Sequence, residues 1–214
     1  MADAFIPIVP DCHAQRLGQL VDLSWDIFRS RFLAGRHPIL KEAPFQHHFA
    51  NVISSVGSLF CISRDDSFLV DLETRIENVR GKSKYIDITC SFPNANVSCA
   101  IELKFKTAQQ GAQDHGRVDA YTDIEALELV CPKHFTFGRF FMITDSKTYR
   151  HKSTRGVGTV FCMHDGHRTP VQTQLACTHS KGRENVVVTL SNEYTFNWDQ
   201  AGNWHFLALP VIAV

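Results

Sequence analysis

Three charged side chains in the segment YIDITCSFPNANVSCAIELKFKT have the types and spacing for phosphodiester hydrolysis: Asp87, Glu102 and Lys104. On either side of Pro93 to Asn96 the residues alternate apolar and polar, the period of a half-buried strand. If two strands close symmetrically around Asn94 and Ala95, Ile88 faces Ile101, Ile86 faces Leu103 and Asp87 faces Glu102. Every apolar residue then meets an apolar partner. The one discordant pair is two carboxylates with Cβ atoms about 5 Å apart, which destabilises a sheet unless positive charge lies between them. A bound cation resolves the conflict. Magnesium takes one or two carboxylates and completes its shell with waters and phosphate oxygens, so Asp87 and Glu102 suit it. Lys104 shares a face with Glu102, about 7 Å along the strand. There it can orient or deprotonate an attacking water and offset charge growing on a phosphorane-like transition state. The simpler alternative, a solvated face with a salt bridge between Glu102 and Lys104, leaves Asp87 opposite Glu102 unexplained.

The elements that must position these residues follow from changes of rhythm along the chain. A helix from about Asp11, its expected N-cap, to Gly35 carries Leu17, Leu20, Val21, Trp25, Phe28 and Phe32 on one stripe. A second stripe of Phe45, His48, Phe49, Val52, Ile53 and Val56 ends at Gly57, with Pro44 in its first turn and Glu42 at or just before its start. From Phe68 the period becomes two, with Phe68, Val70, Leu72, Thr74 and Ile76 on the inner face. Strands follow at Lys84 to Phe92 and Val97 to Lys106. Next comes a helix bearing Ala120, Tyr121, Ile124, Leu127 and Cys131 and stopped by Pro132. Phe137 to Thr144 is apolar on both faces, as a central strand reached by a crossover helix should be.

Beyond residue 156 the pattern is strand-like at Gly156 to His164, Pro170 to Cys177, Glu184 to Leu190, Tyr194 to Trp198 and Trp204 to Val214. This predicts a β-rich extension packed on an α/β core. No Pro/Gly/Ser-rich linker divides the two, so the expectation is one domain: residues 1–39 a helical segment, 40–145 the core, and 146–214 a basic loop with the β-rich extension.

Asp87 followed on the next strand by Glu102-Leu103-Lys104, within the order helix, three-strand meander, helix, strand, resembles the PD-(D/E)xK nuclease superfamily and its restriction-endonuclease-like fold over roughly residues 40–145. Ile86 stands where that pattern has proline. The resemblance implies that Asp87, Glu102 and the Leu103 backbone carbonyl hold Mg2+, for which Mn2+ can substitute, and that Lys104 is the catalytic lysine. Members often carry a further acid on the first core helix, and Glu42 is the candidate; its alternative is a helix-start glutamate favoured by the macrodipole. Glu73 would face Asp87 if the first hairpin turns near Arg80, as a second-metal ligand or else as an exposed strand acid. The recombination branch of the superfamily has glutamine four residues before a tyrosine on the helix after the third strand. Here Arg117 stands four before Tyr121, so that branch is not matched, and Arg117 is either a phosphate clamp or part of a solvated helix face.

Twenty-two Lys plus Arg balance twenty-two Asp plus Glu, so any contact with DNA must come from a local patch. SKTYRHKSTRGVG supplies one, with Lys147, Arg150, His151, Lys152 and Arg155 around Tyr149, suited to phosphate contacts that read no bases. A composition with 44% apolar and 21% charged residues excludes disordered and coiled-coil classes. Seven cysteines at irregular spacings, and an opening MADAFIPIVPDC with no cationic stretch before an apolar run, predict a cytoplasmic protein with reduced thiols. The longest apolar stretch, FLALPVIAV, is broken by Pro210 and is far short of the ~20 residues a membrane helix needs. It reads as a buried strand or a dimer contact. Cys90 and Cys99 face each other on the apolar side as small core residues.

Cys162, His164, His167, Cys177 and His179 raise zinc as an alternative. Their spacing matches no finger or ribbon pattern, and a hairpin turning at Asp165 to Arg168 would put Cys162 opposite about residue 171, far from Cys177. The sequence thus points to a magnesium-dependent DNA endonuclease of restriction or defence type, for which cutting both strands favours a homodimer. Its rivals are a catalytically silent nucleic-acid binder of the same fold and a zinc-stabilised structural protein.

Overall fold

The computed structural model describes residues 8–178 and 180–212. α1 (His13–Leu33) and α2 (Glu42–Leu59) form where apolar residues recur every three or four positions. Leu17, Leu20, Val21, Trp25, Phe28 and Phe32 are all buried, as are Phe45, Phe49, Val52, Ile53 and Val56. His48 of the expected second stripe is half-buried and stacks on His37, with ring centroids 4.4 Å apart. The N-cap position of α1 is Cys12, not Asp11, and no side chain caps it. Asp11 instead offers its carbonyl to Arg16 Nη2 at 3.1 Å.

The fold is mixed α/β, and its centre is a six-stranded sheet. The chain supplies β1 (Leu69–Val79), β2 (Lys82–Phe92), β3 (Val97–Lys106), α3 (Gln113–His134), β4 (Phe137–Thr144) and the short α4 (Lys147–Arg150). Four short strands follow, β5 (His167–Arg168), β6 (Gln174–Ala176), β7 (Val187–Thr189) and β8 (Thr195–Phe196), and then β9 (Trp198–Ala201) and β10 (Trp204–Ile212). The sheet order is β1-β2-β3-β4-β10-β9. β3 and β4, joined through α3, are parallel, and the other neighbours are antiparallel. α1 and α2 cover one face, where Cys99, Ile101, Leu103 and Phe105 point, while α3 covers the other with Ala100, Phe140 and Met142. The alternation along β3 therefore separates two cores. Of its polar residues, Glu102 and Lys104 are buried on the α3 side, while Ser98 and Lys106 remain half-buried.

The β2–β3 ladder runs from Phe92↔Val97 to Ile88↔Ile101 and includes Cys90↔Cys99, the register a symmetric closure demands. It stops there. The expected facing of Ile86 with Leu103 and of Asp87 with Glu102 does not occur, because β2 changes face at Asp87: Ile88 packs with α1 and α2, whereas Ile86 packs with α3. β1 bends at the same level. Glu73, between the rungs Leu72↔Ile88 and Thr74↔Ile86, has φ +53, a left-handed conformation uncommon for a residue with a Cβ. The β1–β2 hairpin turns at Arg80 and Gly81, both with positive φ. At the sheet edge Leu72 of the expected inner face is exposed, while Ile76 is buried.

Helix α3 continues through Pro132 to His134 instead of stopping there. Gly156 to His164 is not a strand: Gly156 takes φ +68 and leads into a 3₁₀ turn at Val157–Thr159. The C-terminal region completes the main sheet, with β10 lying between β4 and β9. FLALPVIAV is thus a sheet strand where it is described; residues 213–214 lie outside the described range. Pro210 pairs with Arg139 of β4 beyond the reach of β9, which covers only Trp204 to Leu207. Its missing N–H therefore leaves no rung unmade. The other short strands pair as β5–β8 and β6–β7, so the hairpin expected at Asp165 to Arg168 does not form. All seven cysteines are free thiols. Among the described residues no helix is long and apolar enough to cross a membrane.

Candidate active site

Six charged side chains from four elements converge beside the split between β2 and β3. β3 contributes Glu102 and Lys104, β2 contributes Lys84 and Asp87, α3 contributes Asp123 and the first residue of α2 is Glu42. Glu102 is 1% exposed, Asp123 6% and Lys104 8%, which excludes a solvated salt bridge on an open β face. Lys104 Nζ lies 2.6 Å from Asp123 Oδ2 and 3.4 Å from Glu42 Oε1, and donates to the Leu103 carbonyl at 3.0 Å. Lys84 Nζ lies 2.8 Å from Asp123 Oδ1 and 3.2 Å from Glu102 Oε1. Each oxygen of Asp123 therefore meets one ammonium. Two of the carboxylates hold the backbone of β3 past the split: Leu103 N–H donates to Asp87 Oδ2 at 2.7 Å and Phe105 N–H to Glu42 Oε2 at 3.3 Å.

Four carboxylates against two ammoniums leave a surplus of negative charge when all are ionised. Burial dominates at Asp87 and, helped by Asp123 and Glu42, outweighs Lys104 and the Leu103 N–H to lift its carboxyl to about 6. Burial, with the nearby charge of Asp123, pushes Glu102 well above the usual carboxylate range. Asp123 moves the other way: burial would raise it, but Lys104 and Lys84 hold it low. Both lysines are disfavoured as cations by burial, yet the carboxylates, Asp123 foremost, keep them firmly protonated.

The carboxylates of this cluster are oxygen donors of the kind that a hard divalent cation takes. Glu102 Oε1 and Asp123 Oδ2 are buried, and each has one ammonium at ion-pair distance, Lys84 and Lys104 respectively, but outside hydrogen-bond geometry. Buried anionic oxygens with unused lone pairs are costly, and cation coordination is one way to satisfy them. Magnesium asks for only one or two such carboxylates. The Leu103 carbonyl, expected as a metal ligand, here accepts from Lys104. Among the described residues, the group of His, Cys, Asp or Glu side chains whose donor atoms all lie within 4.8 Å of one another is elsewhere, at Cys162, His164 and His167.

Asp87, Glu102, Lys104 and Glu42, all expected from the sequence, are thus brought together. Glu73 sits opposite Asp87, as a turn at Arg80 requires, but outside the ion pairs. It is exposed and accepts from Gln46 Nε2 at 2.8 Å, and the same amide donates to the Asp87 carbonyl at 2.6 Å. Arg117 is not on a solvated face. It is 1% exposed, donates to the Thr148 carbonyl and places its guanidinium 5.4 Å from the Tyr149 ring centroid. Lys147, Lys152 and Arg155 line an open cleft of ≈ 630 Å³ with Thr148 and His151. Arg150 turns away to Gln200 and Asp165.

Sequence reasoning missed Lys84 and Asp123. Asp123 had a signal: it falls between Ala120 and Leu127 on the apolar stripe of α3, where an acid must be paired to be tolerated. Lys84 had none, since its reach to Asp123 depends on how α3 lies across the sheet. No known family model matches this chain, and no curated protein or solved structure does either.

Proposed function

We propose that this protein is a magnesium-dependent nuclease with a restriction-endonuclease-like core, acting on DNA. The observation that carries the reading is the convergence of the buried Glu102 and Lys104 with the half-buried Asp87 and Glu42, with carboxylate charge in excess over the two ammoniums. The core elements support it, because α2, the β1–β3 meander, α3 and β4 follow one another in the order that fold requires.

In this reading Asp87 and Glu102 hold the cation, with Glu42 beside them. Bound there, magnesium would polarise the phosphodiester and offset charge in the transition state. Lys104 supplies a permanent positive charge next to the reacting phosphate. Asp123 positions that ammonium and Lys84 balances Asp123. Lys147, Lys152 and Arg155 would track the backbone of the substrate, and two copies of the chain would suit a cut through both strands.

A second reading, a nucleic-acid binder of the same fold without catalysis, is favoured by a different observation: both ammoniums already sit among the carboxylates. One experiment separates the two. Supercoiled plasmid, linear DNA and RNA are incubated with the purified protein, with magnesium, with manganese and with chelator, alongside Glu102→Gln. Metal-dependent cleavage that the variant lacks supports the nuclease. Retained DNA binding with no cleavage under any metal supports the binder.

A further inference from the structure

We propose that Cys162, His164 and His167 form a site for a zinc-type divalent ion, separate from the carboxylate cluster and independent of the nuclease reading. Their three donor atoms lie within 4.8 Å of one another, although Cys162 and His164 lie outside any helix or strand and His167 only begins the two-residue β5. What gathers them is a β-turn. His167 N–H donates to the His164 carbonyl at 2.9 Å, and Gly166 takes the φ of +74 that the turn needs. The two imidazoles are thereby held with ring centroids 5.1 Å apart. Two residues earlier, Cys162 is held by its own backbone, whose carbonyl accepts from the Tyr121 hydroxyl of α3.

Each histidine keeps one ring nitrogen without a hydrogen-bond partner. His164 Nδ1 lies 2.9 Å from the Asp165 carbonyl, and a carbonyl only accepts, so Nδ1 carries the proton and Nε2 keeps its lone pair. A backbone carbonyl of this kind commonly fixes the tautomer of a metal-bound histidine. His167 Nε2 is buried and has no hydrogen-bond partner, an unmet need that coordination would satisfy. The surrounding backbone is fixed at further points: Trp198 Nε1 donates to the Met163 carbonyl at 2.7 Å, and Trp198 N–H to Asp165 Oδ1 at 2.9 Å. The backbone that carries the donors is therefore held in place, and closing on an ion falls to the side chains.

One thiolate and two imidazoles select zinc over magnesium or calcium, and a tetrahedral ion would complete its shell with water. Binding releases the thiol proton to solvent and involves no redox step. Such an ion would pin residues 162–167 between α3 and the β5–β8 pair. Cys177 lies outside the group.

Metal-free full-length protein is titrated with zinc, and with cobalt(II) as a spectroscopic probe. The expected result is one tightly held ion per chain, a thiolate-to-cobalt charge-transfer band, tetrahedral ligand-field intensity and a higher Tm with zinc. Cys162→Ser should abolish the band, and His164→Gln should weaken zinc binding by more than the ~10–100-fold typical of losing an outer partner of a ligand. Cys177→Ser should change neither. His164 is half-buried on a turn, so its variant tests the site even where Cys162→Ser fails to fold. The carboxylate cluster has no thiolate, and cobalt bound there would give no such band. Absence of the band from the wild-type protein, its survival in Cys162→Ser, its loss in Cys177→Ser, or unchanged zinc affinity in His164→Gln would each overturn the assignment.

Discussion

The carboxylate of Asp87 accepts the backbone N–H of Leu103 at 2.7 Å, the N–H that a continued β2–β3 ladder would have aimed at Ile86. A side chain replaces a rung of the sheet. The consequence is that the two strands part without leaving a buried donor unpaired, and the space between them is where Glu102, Lys104 and Glu42 collect. The split and the charged cluster have one cause, the change of face at Asp87.

Glu102→Gln should leave the metal-free fold at least as stable as wild type. Burial already holds this carboxyl well above its usual range, so a neutral isostere removes a charge that the site accommodates poorly. Metal-dependent cleavage should fall by about a hundredfold or more, the scale of losing a group that stabilises transition-state charge. Thermal melts in chelator and plasmid-cleavage rates in magnesium check the two halves separately.

The raised Asp87 carboxyl makes stability depend on pH in a definite direction. Its folded value is about 6, against about 3.9 for an unfolded aspartate, so the folded state holds the proton more tightly. The associated stability is fully present below about pH 4 and is lost as pH rises through about 6. Asp87→Asn should flatten the curve of Tm against pH across that window in metal-free protein. Magnesium requires the ionised form, so wild-type affinity should rise with pH through about 6. A melt series and magnesium titrations over the same window check both signs.

Lys104→Met keeps the length of the side chain and removes the ammonium from Asp123 and Glu42. Breaking one partner out of a buried pair costs about 3 kcal/mol or more, so metal-free protein should unfold at clearly lower denaturant at neutral pH. Acid should recover part of that loss by protonating the carboxylates left behind. Magnesium affinity should hold or rise while cleavage is lost, because the lysine adds positive charge and is not a ligand. Denaturant melts at two pH values, with calorimetric magnesium titration, distinguish this from a collapse of the site.

Glu102 and Lys104 were legible because the period of two along β3 puts them on one face; Asp87 was reached through a facing with Glu102 that does not occur, and it joins them through the change of face in β2. Glu42 was half legible, as a helix-start acid whose partner no local pattern names. The break in the ladder was not legible at all: Ile86 and Leu103 are apolar and fit either core, so the pattern is the same with or without a change of face. The short strands after residue 156 were overestimated for a related reason. They are held less by ladders than by side chains of α3. Glu125 accepts the Thr189 N–H, and Glu128 accepts from Ser191, Asn192 and Tyr194. Periodicity cannot see such contacts. The zinc-type cluster was obscured because the sequence pattern groups it with Cys177, which lies elsewhere, and with His179, which lies outside the described residues.

The basic segment after β4 should act as a phosphate track carried by three residues and not four. Lys147, Lys152 and Arg155 are exposed and line the open cleft, whereas Arg150 is turned to Asp165 and Gln200, and the buried Arg117 is engaged with Thr148 and Tyr149. Each phosphate of duplex DNA that a variant no longer neutralises makes the dependence of log affinity on log salt shallower by about 0.9. Neutralising Lys147, Lys152 and Arg155 to glutamine should therefore flatten that slope by up to three such steps, about equally for unrelated DNA sequences. Arg150→Gln alone should leave it nearly unchanged. The carboxylate cluster keeps all its members in the triple variant, so cleavage at low salt and saturating DNA should largely persist. Fluorescence-anisotropy titrations on two unrelated duplexes over a salt series measure the slopes. An unchanged slope in the triple variant would mark the segment as a solvated loop, and a loss confined to one duplex would mark it as a reader of bases.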